Sequence, residues 1–154
     1  MKHRLDILHE RAIEIRARLR EDFPQYREAL AKVHFEWSNA MTRAAGKARP
    51  STGMVRFSIP IWANGDNNFA EFDDTVLHEI AHVIAGPRAK HGPVWRGIAL
   101  EIGCNGERCH TLAVPPRERY EHPCEVCGRP MMLGRIQVQR ARGRRARYRH
   151  KECR

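Results

Sequence analysis

Apolar and charged positions near the start of the chain alternate with the period of an α-helix. Apolar side chains recur at spacings of three and four residues, and charged side chains occupy the positions between them. The apolar stripe consists of Leu5, Leu8, Ala12, Ile15 and Leu19. This pattern predicts an amphipathic helix from Lys2 to Asp22, which ends before Pro24 because proline interrupts helical hydrogen bonding.

Two later segments show the alternation that is typical of β-strands. Apolar side chains fall on every second position from Val33 to Trp37 and again from Met54 to Trp62. The segment between them, residues 42–53, contains two glycines and a proline, so we expect a loop or an irregular strand there. Asn64-Gly65-Asp66 is a turn signal that closes this part of the chain.

A second pair of helices is predicted in the middle of the chain. The first begins at Asp73 or Asp74, either of which is a good N-cap, and ends at Ala85 before Gly86-Pro87. The next helix covers residues 93–102. Helices and strands that are mixed in this way indicate an α+β fold.

Charge divides the chain into two parts at Pro115-Pro116. Residues 1–115 carry 16 Lys and Arg against 14 Asp and Glu, whereas residues 116–154 carry 12 against 4. We therefore expect a main domain at 1–115 and a small basic module at 116–154. A polyanion such as DNA is the natural partner of the basic module, and a solvated surface is the alternative.

The helix at residues 73–85 contains a pattern of metal ligands. His78 and His82 are four residues apart, so both imidazoles lie on one helical face and can bind one zinc ion. Glu79 is then placed to act as the general base toward water on the metal. A catalytic zinc site has a third protein ligand, for which we favour His91 over Glu101.

The tail carries a second set of metal ligands. Cys124 and Cys127 are separated by two residues, as are His150 and Cys153, which gives a candidate Cys3His structural zinc site. The five cysteines are odd in number and no export signal precedes them, so metal binding is favoured over disulfides. Alternatives to His150 as the fourth ligand are Cys109, His110 and His122.

The segment between these two ligand pairs is rich in arginine. An alternating run from Leu133 to Val138 predicts a strand of a two-stranded hairpin within residues 128–149, with a turn near Gly143. If alternate residues share a strand face, some of the arginines form a basic row along a phosphate backbone. The candidate DNA-contacting residues are Arg140, Arg142, Arg144, Arg145, Arg147 and Arg149.

Several of these motifs together resemble the SprT-like metalloproteases, the family that includes Spartan. The motifs are Val76–His82, His91-Gly92-Pro93-x-Trp95, Phe35–Ser38 and Ala45–Ala48. The resemblance implies a minimal zincin fold with a catalytic zinc on His78, His82 and His91, and Glu79 as base. It also implies cleavage of proteins that are bound or crosslinked to DNA. Relatives often end in a four-cysteine zinc ribbon, from which His150 would depart.

Two other functions are compatible with the same residues. The protein could be a nucleic-acid-binding zinc-ribbon protein whose histidine site is structural or vestigial, although Glu79 would then have no purpose. It could also be a metal-dependent hydrolase of a non-peptide substrate. The beginning of the chain lacks the apolar core of a signal peptide and no apolar run is long enough to span a membrane. We therefore expect a cytoplasmic protein, associated with the nucleoid if its source is bacterial.

Overall fold

The computed structural model describes residues 3–153, which divide into two compact units at residues 1–115 and 116–154. The first unit combines helices with a three-stranded sheet, and the second contains a two-stranded sheet and one helix. The first unit contains α1 (Arg4–Asp22), a 3-10 helix (Pro24–Tyr26), α2 (Arg27–Lys32), β1 (His34–Ser38), β2 (Gly46–Arg49), β3 (Met54–Ser58), α3 (Ile59–Trp62), α4 (Phe69–Ala85) and α5 (Pro93–Glu101). The second contains β4 (Arg119–Pro123), β5 (Pro130–Gly134) and α6 (Arg135–Arg142). The α+β class is confirmed.

Helix α1 buries the stripe that its sequence predicts. Leu8, Ala12, Ile15 and Leu19 are buried, and Leu5 packs at the margin of the core. The helix begins at Arg4 and ends at Asp22, so the predicted end is confirmed. Lys2, the predicted first residue, lies outside the described residues.

The sheet has the order β1-β3-β2, with β1 parallel and β2 antiparallel to β3. Central strand β3 is buried at four of its five positions. Strand β2 lies inside the segment predicted as a loop or irregular strand. Its inward positions are Gly46 and Ala48, which are too small to produce an apolar alternation in the sequence.

The strand predicted from Met54 to Trp62 is too long. Strand β3 stops at Ser58, whose hydroxyl accepts a hydrogen bond from the N–H of Ile61 at 3.2 Å and caps the short helix α3. Pro60 has no N–H to donate to a sheet, which favours the helical turn. The apolar side chains Ile61 and Trp62 are buried from this turn rather than from a strand.

Helix α4 begins four residues before the predicted start. Asn68 is its N-cap, and a capping box joins Asn68 to Glu71. Asp73 and Asp74 lie inside the helix, where Asp73 binds Arg11 and Asp74 accepts a hydrogen bond from the N–H of Asn105 at 2.7 Å. The predicted end at Ala85 is confirmed, with Gly86 as the C-cap.

The core of the first unit holds α4 between α1 and the sheet. An aromatic cluster joins these layers, with the Phe72 ring 4.9 Å from Phe57 and 5.1 Å from Trp62 between centroids. The buried Asn67 side chain bonds both the N–H and the carbonyl of Ala113, so the segment after α5 is fixed against the start of α4. This packing gives the middle of α4 a rigid support.

In the second unit, β4 and β5 form an antiparallel hairpin around the Cys124–Cys127 segment. The predicted strand from Leu133 to Val138 is wrong over its last four residues, because β5 ends at Gly134 and α6 follows. The hairpin predicted within residues 128–149 is therefore wrong as well, since the partner of β5 is β4. Leu133 and Val138 are both buried, one from the strand and one from the helix. Within residues 3–153, none of the helices combines the length and apolar character that a membrane crossing requires.

Candidate metal centre

Three histidine side chains meet on one side of α4. His78 and His82 are one helical turn apart, and their ring centroids are separated by 5.1 Å. The chain leaves α4 at Gly86 and returns His91 to the same face. The Nε2 atom of His91 lies 3.0 Å from Nε2 of His78 and 3.1 Å from Nε2 of His82.

This donor set fits a zinc ion. Zinc–nitrogen bonds of about 2.0–2.1 Å in a tetrahedron place the ligand nitrogens roughly 3.3 Å apart. The observed separations of 3.0 and 3.1 Å are close to that value. Glu101, the rival third ligand, is not part of the cluster, because its carboxylate accepts hydrogen bonds from Tyr26 at 2.5 Å and Gln25 at 3.3 Å.

The surroundings keep these imidazoles uncharged. Burial, followed by the neighbouring histidines, lowers the pKa of His78 and of His82 to about 4. Burial and then the positive charge of Arg108 lower the pKa of His91. A neutral imidazole has a free lone pair, so all three side chains are in the form that binds a metal.

Trp95 forms the floor of the cluster. Its centroid lies 4.7 Å from His78, 5.2 Å from His82 and 4.6 Å from His91. The indole is buried, and its N–H donates to the carbonyl of His78 at 3.4 Å. One side chain therefore contacts all three candidate ligands and restricts their ring orientations.

Glu79 lies beside the histidines and is almost fully enclosed, with 7% of its surface exposed. Burial raises the pKa of its carboxyl group to about 7, and the N–H of Ala48 in β2 faces the carboxylate and opposes this rise. A carboxyl group with a pKa near neutrality can both accept and release a proton under ordinary conditions.

The segment after α5 supports the site from outside. The carbonyl of Glu107 faces the His78 imidazole and raises its pKa, which opposes the larger effect of burial. Asp74 anchors this segment through the Asn105 N–H. Sequence reasoning missed Glu107 as a partner of His78, since a backbone carbonyl leaves no mark on residue type.

The histidines and Glu79 open into a groove of about 1020 Å³. Four cationic side chains line the same groove, which are Arg43, Lys47, Lys90 and Arg108. The edge strand β2 forms one wall, and the segment from Asn105 to Leu112 contributes another part of the lining.

A family model with the description SprT-like family matches residues 12–115, two thirds of the chain. The chain belongs to the SprT-like family. This family is associated with metallopeptidase function. All three histidines and Glu79 fall within the matched residues, so the SprT-like match and the candidate metal centre coincide.

Curated relatives support this assignment. The chain is 39% identical over 88 residues to Protein SprT of Pseudomonas aeruginosa strain PAO1 and to that of Pseudomonas paraeruginosa strain PA7. It is 33% identical to Protein SprT of Pseudomonas fluorescens strain SBW25 over the same length. Each alignment covers 52% of both chains, so this SprT-like chain spans about half the length of the curated relatives it matches. No solved structure matches it.

Beyond the family match, the second unit brings together the predicted cysteine site. Ligand atoms of Cys124, Cys127, His150 and Cys153 all lie within 4.8 Å of one another. Backbone N–H groups, first that of Cys127, lower the pKa of the Cys124 thiol, and the Arg129 side chain lowers that of Cys127. Thiolates are the metal-binding form of cysteine, so the environment of Cys124 and Cys127 favours ligation. The Cys127 side chain and burial raise the pKa of the Cys153 thiol to about 11, so this ligand would lose its proton on binding the metal.

The rival fourth ligands lie elsewhere. Cys109 and His110 line the groove of the first unit, and His122 is in strand β4 outside the ligand cluster. His150 is oriented by the carbonyl of Pro130, which lies 3.2 Å from its Nε2 atom, while its Nδ1 atom lies 3.4 Å from the Cys127 sulfur. The structure thus groups the four residues that the sequence spacing predicts.

The six candidate arginines are all exposed, but they do not form a row on a strand. Arg140 and Arg142 are in the last turn of α6, and the other four follow in an irregular segment. Arg147 lies 3.6 Å from Glu125, so part of its charge is compensated. The predicted strand geometry is therefore wrong, while the concentration of positive charge on exposed side chains remains.

Proposed function

We propose that this SprT-like chain is a zinc-dependent peptidase of the zincin type that cleaves proteins bound or crosslinked to DNA. The observation that carries the proposal is the convergence of three imidazole nitrogens next to the buried carboxyl group of Glu79 in an open groove. Membership of the family supports the same reaction. The substrate class is proposed from the family resemblance. DNA is proposed as a partner from the same resemblance and from the positive charge of the second unit.

The zinc ion would be held by His78, His82 and His91. When bound there, zinc would act as a Lewis acid toward the substrate carbonyl and lower the pKa of water. Glu79 takes the proton from the attacking water on a carboxylate oxygen and later gives it to the leaving amine. Its raised pKa, about 7, suits both steps. Trp95 and the Glu107 carbonyl keep the imidazoles in a fixed orientation while this exchange occurs.

A purely structural histidine site does not explain Glu79. Within residues 3–153 the Glu79 carboxyl group has no ion-pair partner. Burying such a group costs free energy, and its raised pKa reports that cost. A group that is kept in such an environment next to metal ligands is a candidate for proton transfer. We therefore favour a peptidase over a nucleic-acid-binding protein with a vestigial site.

The second unit would bind a structural zinc ion through its Cys3His cluster and contact DNA phosphates through its arginines. Phosphate contacts of this kind depend on salt and carry little sequence information. They would bring the peptidase to proteins on DNA without selecting a DNA sequence.

The decisive comparison is between wild type, Glu79→Gln and His78→Ala in casein cleavage, with zinc content measured for each. We expect wild type to hold two zinc ions and to cleave. Glu79→Gln should keep both ions and lose at least about 100-fold in rate, because the ligands remain and the base does not. His78→Ala should lose one ion together with its activity.

Glu14→Gln, an exposed carboxylate on α1, serves as the control and should retain the wild-type rate. Cleavage by Glu79→Gln at the wild-type rate would contradict the proposal. The same would follow if wild type cleaved neither casein nor a histone substrate in the presence of DNA. Hydrolysis of nucleic acid instead of protein would favour a hydrolase of another class.

A further inference from the structure

Strand β2 presents an unpaired edge to helix α4. In the ladder with β3, the N–H of Ser58 donates to the carbonyl of Ala45 at 3.0 Å. Bonded and non-bonded pairs alternate along an antiparallel ladder, so the peptide groups of Gly46 and Ala48 face away from β3. The N–H of Ala48 faces Glu79, and Gly46 lies against the turn of α4 that carries Thr75 and Glu79.

The contact between Gly46 and Glu79 leaves no room for a side chain on the strand. A Cβ atom at Gly46 would lie 2.7 Å from Cγ and 3.0 Å from Oε1 of Glu79, and 3.1 Å from Cγ2 of Thr75. The backbone of Gly46 follows ordinary strand geometry, so φ does not demand glycine there. The reason for a glycine is the close approach of the strand to the Glu79 side chain.

The next inward residue contacts the carboxyl end of the same side chain. The N–H of Ala48 faces the Glu79 carboxylate. Gly46 thus limits the aliphatic part of Glu79 from one side, while Ala48 supplies a polar contact to its oxygens. Only 7% of the Glu79 surface is exposed, so few alternative rotamers of this side chain are available.

We propose that Gly46 and Ala48 form a clamp that positions the Glu79 side chain, with Gly46 as the residue on which its fit depends. The catalytic consequence rests on the function proposed above, whereas the contact itself does not. Gly46 is a positioning residue, because it acts on the reaction through its contact with Glu79. Displacing a proton-transferring group by a fraction of an ångström slows the chemical step strongly, whereas it weakens substrate binding much less.

The test compares four variants of the zinc-loaded full chain, namely Gly46→Ala, Glu79→Ala, the double variant and Gly97→Ala. Gly97 is a matched control because it is exposed on α5 and a Cβ there meets nothing within 4 Å. We expect Gly46→Ala to lower the melting temperature in wild type, and to lower it much less when Glu79 is already alanine. A small residual effect is expected from Thr75.

In casein cleavage, Gly46→Ala should lower kcat about 10-fold to 100-fold, with KM within about twofold and zinc content unchanged. Gly97→Ala should leave both constants at their wild-type values. If Gly46→Ala does not fold but the double variant does, the clamp is equally supported. This pattern separates positioning of Glu79 from a general role of β2 in stability.

Equal losses of melting temperature in the two backgrounds would overturn the clamp, as would an unchanged kcat in an active wild type. Failure of both Gly46→Ala and the double variant to fold would also overturn it. If wild type has no peptidase activity at all, the proposed function fails, and the thermal coupling between Gly46 and Glu79 still decides the clamp.

Discussion

The third histidine reaches the metal centre through an unusual stretch of backbone. Gly86 has φ 84° and ψ 171°, a region that is open almost only to glycine, and Lys90 has φ 49°, in the left-handed region. These two residues bracket the turn that leads from α4 to His91. The position of His91 therefore depends on backbone conformation as well as on its own side chain.

Two glycine-to-alanine substitutions should change the free energy of unfolding in opposite directions. A Cβ at Gly86 or at Gly97 meets nothing within 4 Å, so packing does not distinguish the two positions. We expect Gly86→Ala to destabilise the protein by about 1–3 kcal/mol because of its φ. Gly97→Ala, within helix α5, should stabilise it by about 0.5–1 kcal/mol.

Chemical denaturation of both variants measures this difference. Equal effects at the two positions would show that Gly86 can leave its positive φ without cost. Zinc affinity provides a second readout, since only the Gly86 variant alters the turn that carries His91.

At the scale of elements, helices α4 and α6 carry different kinds of functional side chain. Helix α4 carries two candidate ligands and the proposed base within five residues, and the capping box at Asn68 and Glu71 fixes where it starts. Helix α6 has the opposite character, with Val138 as its buried residue and arginines in its last turn. The arginine-rich part of the second unit therefore begins on a helix.

The arginines of α6 should contribute to DNA affinity through charge. We expect Arg140→Ala with Arg142→Ala to weaken binding to all sequences alike and to reduce the slope of log affinity against log salt by about 1.4–1.8. Arg18→Ala with Arg20→Ala, the same charge change on exposed positions of α1, should leave the slope unchanged. Fluorescence anisotropy across a salt series measures both, and equal slopes for the two pairs would refute a DNA surface on α6.

The elements that the sequence predicts well are those with a strong local signal. The stripe of α1 and the ligand spacing in α4 follow the helical period, so their geometry could be predicted from residue types. Strand β2 could not be predicted in this way, because its inward residues Gly46 and Ala48 are small. They pack against Glu79, which is distant in sequence, so no local pattern marks the strand. The strand prediction for Leu133–Val138 failed because Leu133 is buried at the end of a strand and Val138 on a helix. Together their apolar side chains imitate the alternation of a single strand.

On the scale of the whole molecule, the two units have unequal cores. The first buries a continuous cluster of apolar side chains from α1, the sheet, α4 and α5. Within the described part of the second unit, the buried apolar side chains are Cys124, Leu133 and Val138. A core of that size supplies little hydrophobic stabilisation, so we expect metal binding to provide most of the folding free energy of residues 116–154.

Loss of the second metal should therefore unfold one unit alone. We expect Cys124→Ser to lower zinc content from two ions to one and to make residues 116–154 sensitive to protease, while the first unit keeps its melting transition. Cys109→Ser is the control, because Cys109 lies outside the cysteine cluster, and it should keep both ions. Zinc analysis with limited proteolysis measures the outcome, and an intact second unit in Cys124→Ser would show that its core suffices without metal.

The contact of Trp95 with all three imidazoles has an optical consequence. The chain has three tryptophans, and the other two, Trp37 and Trp62, belong to the aromatic cluster around Phe72. Co²⁺ or Cu²⁺ bound by the histidines would lie next to imidazoles that contact one indole, and it should quench the fluorescence of that indole. The fraction of emission that is lost in a Cys124→Ser background would then report occupancy of the histidine centre without any added label.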